Sequence, residues 1–284
     1  MAIDYEHLMA LEFPEKTFAY SAKDTMLYAL SVGMGRDTDD LDYVYEKSLT
    51  PLPTLATVIA WDDEWQEATG MDISRVVHGG MQVILHNELP SQGRVVSSFR
   101  IREAYDKGAG RGAIVLAETA LRDADSHRPL ATLLSTVFAR GDGGFGGPQG
   151  RGLPAHPIPE REPDLSIASE IRPEQALLYR LSGDMNPLHV DPEIAKDAGF
   201  DRPILQGLCT FGIAAASLVK AARPASPYRI SLFEARFTAP VFPGDTLITD
   251  IWLDGAEISF QARVSGREGI ALNNGRALIS PMET

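Results

Sequence analysis

Apolar residues run almost without interruption from Gly207 to Ala222, and several shorter apolar stretches follow along the chain. A segment of this length that is apolar on nearly every side predicts a buried helix, which ends before Arg223-Pro224. The later stretches, at 231–238, 246–253, 257–264 and 270–279, are short and partly alternating, as in Phe233-Glu-Ala-Arg-Phe237. Alternation with a period of two predicts strands. The pattern therefore predicts a sheet curled around one buried helix.

The same order of elements occurs twice. Leu27-Tyr-Ala-Leu-Ser31 echoes Leu178-Tyr-Arg-Leu-Ser182, and Leu89-Pro-Ser-Gln-Gly93 echoes Phe242-Pro-Gly-Asp-Thr246, each before a predicted strand. His78-Gly79 similarly echoes Gln206-Gly207 before a predicted central helix. We therefore predict an α+β double hotdog, in which each tandem unit is an antiparallel sheet wrapped around a central helix. The region 141–162 is rich in glycine, proline and charge, and we predict units at 1–147 and 164–284 with a linker at 148–163.

The two predicted units differ in length and chemistry. After Gly79 the helical run reaches only to about Leu85, roughly half the length of its counterpart. A shortened central helix leaves volume that either side chains fill or a ligand occupies. When the units are aligned on the Leu-Tyr-x-Leu-Ser echo, Gly33 and Thr38 stand opposite Asp184 and His189. We therefore expect the first unit to lack the acid–base chemistry of the second.

Asp184, Asn186 and His189 lie within six residues between two predicted short helices. The first helix begins near Pro173 and ends at Gly183, and the second has Asp191 as its cap, followed by a proline. Such a run is also ordinary turn chemistry, in which Asp and Asn bond their own backbone. On a braced loop, however, a carboxylate, an amide and an imidazole can converge on one water or substrate atom.

This segment resembles the signature of the MaoC-like, (R)-specific enoyl-CoA hydratase 2 family. The signature has an aromatic residue, then a small residue and Gly-Asp-x-Asn-Pro-Leu-His, and the residues from Tyr179 to His189 match it. Other parts also resemble the family, namely Tyr28-Ala-Leu-Ser-Val-Gly33, Asp42-Tyr-Val-Tyr-Glu46, Val77-His-Gly-Gly80, Gly141-Asp-Gly-Gly-Phe-Gly-Gly147 and Ala198-Gly-Phe-Asp-Arg-Pro-Ile-Leu-Gln-Gly-Leu-Cys-Thr-Phe-Gly212. The chain is thus similar, over nearly its whole length, to the hydratase 2 domain of peroxisomal multifunctional enzymes, which implies a double hotdog fold.

The resemblance implies a catalytic set and a substrate-binding set. The catalytic set is Asp184, Asn186, His189 and Gly207, and the substrate-binding set is His78, Gly79, Lys107 and Phe237. In the implied reaction Asp184 and His189 activate one water, Asn186 orients it, and the backbone N–H of Gly207 stabilises the thioester oxygen. The sequence leaves open which member of the pair is the base. Gln206 departs from the family, which usually has His at that position.

Composition limits the classes of binding partner and the cell compartment that we expect. The net charge of −13 argues against a nucleic-acid or anionic-membrane surface binder, so an anionic coenzyme A thioester needs a local basic group such as Lys107. The single cysteine, Cys209, fits a reducing compartment. The first residues lack the features of a signal peptide, Pro-Met-Glu-Thr at the end is not a peroxisomal address, and no run of about 18 apolar residues occurs. We expect a cytoplasmic homodimer with no metal site and no cofactor beyond the coenzyme A of the substrate.

The predicted function is (R)-specific hydration of trans-2-enoyl-CoA to (3R)-3-hydroxyacyl-CoA, for medium, long or bulky acyl chains. A steroid side-chain enoyl-CoA is an alternative substrate within this reading. A hotdog thioesterase would bind the same thioester but aim its water at the carbonyl carbon. A non-catalytic acyl-CoA-binding subunit is the third alternative, against which the intact Asp184 and His189 argue.

Overall fold

The computed structural model describes residues 3–222 and 228–281, and ten strands in this part of the chain form one antiparallel sheet. The helices are α1 (Tyr5–Ala10), α2 (Ala22–Ser31), α3 (Leu41–Val44), α4 (Gln175–Tyr179), α5 (Pro192–Asp197) and α6 (Gly207–Ala222). The strands are β1 (Lys16–Tyr20), β2 (Val76–Leu85), β3 (Gly93–Asp106), β4 (Ala113–Asp123), β5 (Pro129–Ala139), β6 (Leu165–Glu170), β7 (Tyr228–Phe237), β8 (Thr246–Asp254), β9 (Glu257–Val264) and β10 (Ile270–Pro281).

The sheet consists of two halves with the same internal order. Its strands are arranged β1-β3-β4-β5-β2-β7-β10-β9-β8-β6, so β1 to β5 form one half and β6 to β10 the other. The halves join where β2 pairs antiparallel with β7, in the register Gly80↔Arg236 to Ile84↔Leu232. The four strands predicted in the second half coincide closely with β7 to β10. The double hotdog prediction is therefore confirmed for the sheet.

The central helix predicted for the first unit is wrong. Residues 76–85 form β2, which pairs with β5 on one side and with β7 on the other. A short apolar run with β-branched residues does not by itself distinguish helix from strand, and here two neighbouring strands complete its backbone hydrogen bonds. The proposed equivalence of His78-Gly79 with Gln206-Gly207 is wrong for the same reason, because β2 corresponds to β7. A short helical turn, Pro53–Thr57, packs against α6 instead.

The helix α6 is confirmed as the buried centre of the second unit. Phe211 is fully buried and meets Phe233 of β7 edge-on, with ring centroids 4.6 Å apart. At Gly212 the helix touches α2 of the first unit, where an added Cβ would lie 2.5 Å from a methyl group of Val32. One helix therefore serves both halves of the molecule. The helix ends at Ala222, and Arg223 and Pro224 lie outside the described residues.

The segment 140–164, which we call the strap, connects β5 to β6 across the outer face of the sheet. It is tied down along its length: Arg236 donates to the carbonyl of Leu153 at 2.6 Å and Asn274 to that of His156 at 2.8 Å. Trp252 donates its ring N–H to the carbonyl of Arg161 at 2.8 Å. The strap is therefore an ordered part of the fold. In the described residues no helix has the length and apolarity that a membrane crossing requires.

Candidate active site

The loop that carries Asp184 and His189 is built as the sequence predicts. α4 ends in a tighter helical turn, Arg180–Ser182, and Gly183 follows with a φ of 131°. Only glycine adopts this conformation readily, and an added Cβ would also lie 2.8 Å from Trp61. The side chain of Asp191 accepts the backbone N–H groups of Glu193 and Ile194 and begins α5. Both ends of the loop are thus fixed by local chemistry.

Asp184 and His189 are buried and face each other. The distance from the Asp184 Oδ2 to the His189 Nε2 is 3.7 Å, which is too long for a direct hydrogen bond. A water about 2.8 Å from each atom would bridge this gap. His189 Nδ1 lies 2.9 Å from the carbonyl oxygen of Ile204, which can only accept, so the proton sits on Nδ1. In the neutral ring Nε2 then presents its lone pair towards Asp184.

Burial sets the protonation of this pair. Desolvation raises the pKa of Asp184 and lowers the pKa of His189, and in each case the partner's charge acts in the opposite direction. The negative charge of Asp63 adds to the rise in the pKa of Asp184. Desolvation thus brings the pKa values of the carboxyl and imidazole groups closer together. Such a pair can take up a proton from a bound reactant and return it.

Asn186 lies on the exposed side of the loop. Its backbone N–H donates to Asp184 Oδ1 at 3.2 Å, and its side-chain oxygen accepts the N–H of Leu188 at 3.0 Å. Asn186 therefore helps to fix the carboxylate and caps the turn that leads to His189. The water-orienting role that we predicted for its side chain stays a prediction. Because the side-chain oxygen already accepts the N–H of Leu188, only the side-chain NH₂ group would be available for that role.

Gly207, Phe237 and His78 form one chain of contacts. Gly207 is the first residue of α6, and an added Cβ there would lie 3.4 Å from the Phe237 ring. The rings of Phe237 and His78 have centroids 4.8 Å apart. The Ile204 carbonyl held by His189 lies three positions before Gly207, so the same short loop joins the acid–base pair to the helix start.

Gln206, which stands where the family usually has His, is fully buried. Its Nε2 donates to the carbonyl of Ala176 at 3.1 Å, and its Oε1 is buried without a hydrogen-bond partner among the described residues. Its side chain thus connects the start of α6 to α4, the helix that leads into the catalytic loop.

Gly79 and Lys107 line a cleft of about 320 Å³ between the outer face of the sheet and the strap. Its walls include Gln82 and Glu234, whose side chains hydrogen-bond across the β2–β7 junction, and the strap residues from Leu153 to His156. Asp184 and His189 do not line this cleft. Gly79, which lines the cleft, directly follows His78 in the chain. The cleft therefore adjoins the series of contacts that runs from His78 through Phe237 to Gly207.

Sequence patterns do not reveal the contribution of the first unit to the loop. Trp61 packs against Gly183, and Asp63 acts electrostatically on Asp184, although both lie about 120 positions earlier in the chain. They follow the turn Pro53–Thr57, which packs against α6. No periodicity or capping pattern marks them, because their role depends only on the packing of one unit on the other.

His78 should make the fold sensitive to acid. Its half-buried ring is removed from water, which lowers its pKa from 6.5 to about 4. Between these values the unfolded chain binds a proton that the folded chain does not, so stability falls as the pH drops from 6.5 towards 4. Urea unfolding of wild type and of His78→Gln across this range should show a shallower loss for the variant. Parallel pH profiles would contradict this assignment.

Comparisons with known proteins agree with this arrangement. Residues 18–141 match the family model of the MFE-2 hydratase 2 N-terminal domain, and residues 154–273 match that of the MaoC like domain. The chain is 37% identical to the peroxisomal enoyl-CoA hydratase 2 of Arabidopsis thaliana, over 93% of this chain and 92% of that protein. It is 39% identical to 3-hydroxyacyl-thioester dehydratase Y of Mycobacterium tuberculosis, over 95% and 94% of the two chains.

Solved structures show the same fold. The crystal structure of a MaoC-like dehydratase from Phytophthora capsici superposes with a TM-score of 0.85 at 30% identity, covering 98% of both chains. The two family models together match most of the chain, and the two relatives align over 93% and 95% of it. The protein therefore belongs to the MaoC-like enoyl-CoA hydratase 2 family.

Proposed function

We propose that this protein adds water to trans-2-enoyl-CoA and forms (3R)-3-hydroxyacyl-CoA. The observation that carries the proposal is the buried pair Asp184 and His189, whose facing atoms are 3.7 Å apart beside the start of α6. That gap suits one bridging water, and the proton on Nδ1 of His189 leaves its Nε2 as an acceptor. The similarity to enoyl-CoA hydratase 2 supports the same reaction.

The reaction follows from these positions. His189 Nε2 accepts a proton from the bound water while the water oxygen forms its bond to the β-carbon of the thioester, and Asp184 holds the second hydrogen. The electron pair of the double bond moves to the thioester oxygen, giving an enolate. The proton then passes from the pair to the α-carbon, and the enolate collapses to the hydroxyacyl thioester. The hydrogen and the hydroxyl both come from one water, so the pair ends as it began.

Gly207 supplies the stabilisation that the enolate needs. Its backbone N–H lies at the first position of α6, where helix N–H groups lack intrahelical partners and the helix dipole favours negative charge. The missing Cβ keeps the approach open beside the Phe237 ring. A donor placed where charge develops contributes about 3–4 kcal/mol to lowering the barrier in comparable enzymes.

The substrate path uses both units. The pantetheine arm passes His78, Gly79 and Phe237 towards the outer cleft, where Lys107 meets the phosphate groups of coenzyme A. The support is that these residues adjoin one another between the helix start and the cleft. The first unit has no central helix in its described part, and this supports a site there for medium, long or bulky acyl chains, steroid side chains included.

The remaining properties follow from the same chemistry. Hydration by the acid–base pair and the Gly207 N–H needs no further chemical group, so we propose no cofactor other than the coenzyme A of the substrate. We propose a location in the cytoplasm, supported by the one cysteine, Cys209, which is buried and forms no disulfide. We also propose that the protein is a homodimer. The net charge of −13 supports a small-molecule partner rather than nucleic acid or a membrane.

One assay distinguishes hydration of the double bond from cleavage of the thioester bond. With crotonyl-CoA and trans-2-decenoyl-CoA, the enoyl absorbance should fall without release of free thiol, and chiral analysis should give the 3R product. Thiol release at the rate of absorbance loss would instead identify a thioesterase, and binding without turnover would identify a non-catalytic subunit. An acyl-length series that includes a steroid side-chain enoyl-CoA then reports the preferred acyl group.

A further inference from the structure

The carboxylate of Asp106, at the end of β3, is the centre of a network that the proposed reaction does not explain. Asp106 is buried, and its two oxygens accept the backbone N–H groups of Gly108 at 2.7 Å, Gly144 at 2.7 Å and Gly146 at 2.8 Å. Its own N–H donates to the carbonyl of Pro148 at 2.9 Å. The hydrogen bond from the N–H of Gly144 lowers the pKa of Asp106 most, and those from Gly108 and Gly146 lower it further. The surrounding backbone N–H groups therefore stabilise the negative charge of the carboxylate.

The glycine-rich start of the strap fits tightly against the turn after β3. An added Cβ on Gly143 would lie 2.2 Å from the carbonyl oxygen of Gly108. Gly144 and Gly146 have φ angles of 94° and 79°, in the left-handed region that favours glycine. A run that composition identifies only as a linker thus folds as a specific loop around one carboxylate.

Lys107 is hydrogen-bonded to neighbouring loop residues through both its backbone and its side chain. Its backbone follows Asp106 directly and its N–H donates to the carbonyl of Gly112 at 3.1 Å, while its Nζ donates to the carbonyl of Gly150 at 3.4 Å. Gly150 in turn lies against the Tyr105 ring, where an added Cβ would be 2.2 Å from a ring carbon. The strap then continues into the residues that wall the cleft.

We propose that Asp106 is a positioning residue for coenzyme A: by fixing the start of the strap it holds Lys107 and the cleft wall in the arrangement that binds the nucleotide end of the substrate. This inference rests on the proposed function. A lysine ammonium is a point charge on a flexible stem, so its use depends on where the stem is held. The chain has a net charge of −13, and Lys107 and Arg236 are the lysine and arginine that line the cleft, so a misplaced Lys107 weakens the local attraction for phosphate groups.

The test is Asp106→Asn, which keeps the shape but turns an NH₂ group towards backbone N–H donors. KM for crotonyl-CoA should rise about tenfold with kcat unchanged, whereas KM for crotonyl-pantetheine, which lacks the nucleotide, should stay the same. Gly150→Ala displaces the strap without touching Asp106 and should give the same split. Asp123→Asn is the matched control, because Asp123 accepts N–H groups of a hairpin turn away from the cleft.

Each outcome decides the inference. An equal loss on both thioesters, or no change on either, overturns it. Because Asp106 acts in part through Lys107, the double variant Asp106→Asn/Lys107→Met should lose less affinity for crotonyl-CoA than the sum of the two single losses, and fully additive losses also overturn the inference. If Asp106→Asn does not fold, Gly150→Ala decides alone. If the wild type does not hydrate crotonyl-CoA, the proposed function fails, and calorimetry with free coenzyme A still tests Asp106 through a tenfold weaker affinity in the variant.

Discussion

Replacing Asp184 with Asn should lower kcat for crotonyl-CoA hydration by roughly a thousandfold, since positioned acid–base groups contribute about 10²–10⁴. The amide has nearly the same shape and can still accept the N–H of Asn186, so the loop should keep its conformation. It cannot accept and return a proton, however, and the pair with His189 is lost. Absorbance loss under saturating substrate measures the change, and an unchanged unfolding temperature shows that the fold survives.

A second variant separates the pair from the rest of the site. Because Asp184 and His189 act on one water, the double variant Asp184→Asn/His189→Gln should be no slower than the slower single variant. Asp197→Asn, which changes a carboxylate at the end of α5, is the control and should keep full activity. Full activity in Asp184→Asn would end the assignment of the catalytic loop.

Replacing Gly212 with Ala should destabilise the protein although alanine is the better helix former. The added Cβ would lie 2.5 Å from Val32 Cγ1 and 2.9 Å from the Tyr28 hydroxyl, so α2 and α6 must move apart. Overpacking of this kind costs about 1–3 kcal/mol, which exceeds the gain of about 1 kcal/mol in helix propensity over most of that range. Denaturant unfolding should show a lower free energy of unfolding.

The contact itself can be tested by making room. Val32→Ala alone removes buried methyl groups and lowers stability, but combined with Gly212→Ala it relieves the overlap. The double variant should therefore be more stable than the sum of the two single changes predicts. Additive effects, or a Gly212→Ala variant more stable than wild type, would show that the two units are not packed together at this point.

Local patterns predicted much of the second unit. A long apolar run can only be buried, and alternation with a period of two identifies strands, so α6 and β7 to β10 were found near their observed bounds. The caps at Gly183 and Asp191 act within four residues, and the sequence therefore fixed both ends of the catalytic loop. Interactions between residues that are close in the sequence can be recognised from the sequence alone.

The first unit shows where local patterns fail. Residues 76–85 are apolar and short, and the choice between helix and strand depended on β5 and β7, which lie far away in sequence. The same holds for Trp61 against Gly183 and for the turn Pro53–Thr57 against α6. Composition predicted only a linker for the glycine-rich run from Gly141, because it does not show that a buried carboxylate 38 positions before Gly144 accepts the N–H groups of this run.

The amino-acid sequence by itself determined the buried helix and the carboxylate and imidazole on one loop, because these rest on patterns between near neighbours, and it indicated the repeated sheet through the echoed segments. Only the tertiary structure decided which nitrogen of His189 carries the proton, through the carbonyl of Ile204, and how far that ring stands from Asp184. It also decided that residues 76–85 form a strand paired with β5 and β7 rather than a helix. Those features depend on partners brought together by burial, which no local pattern encodes.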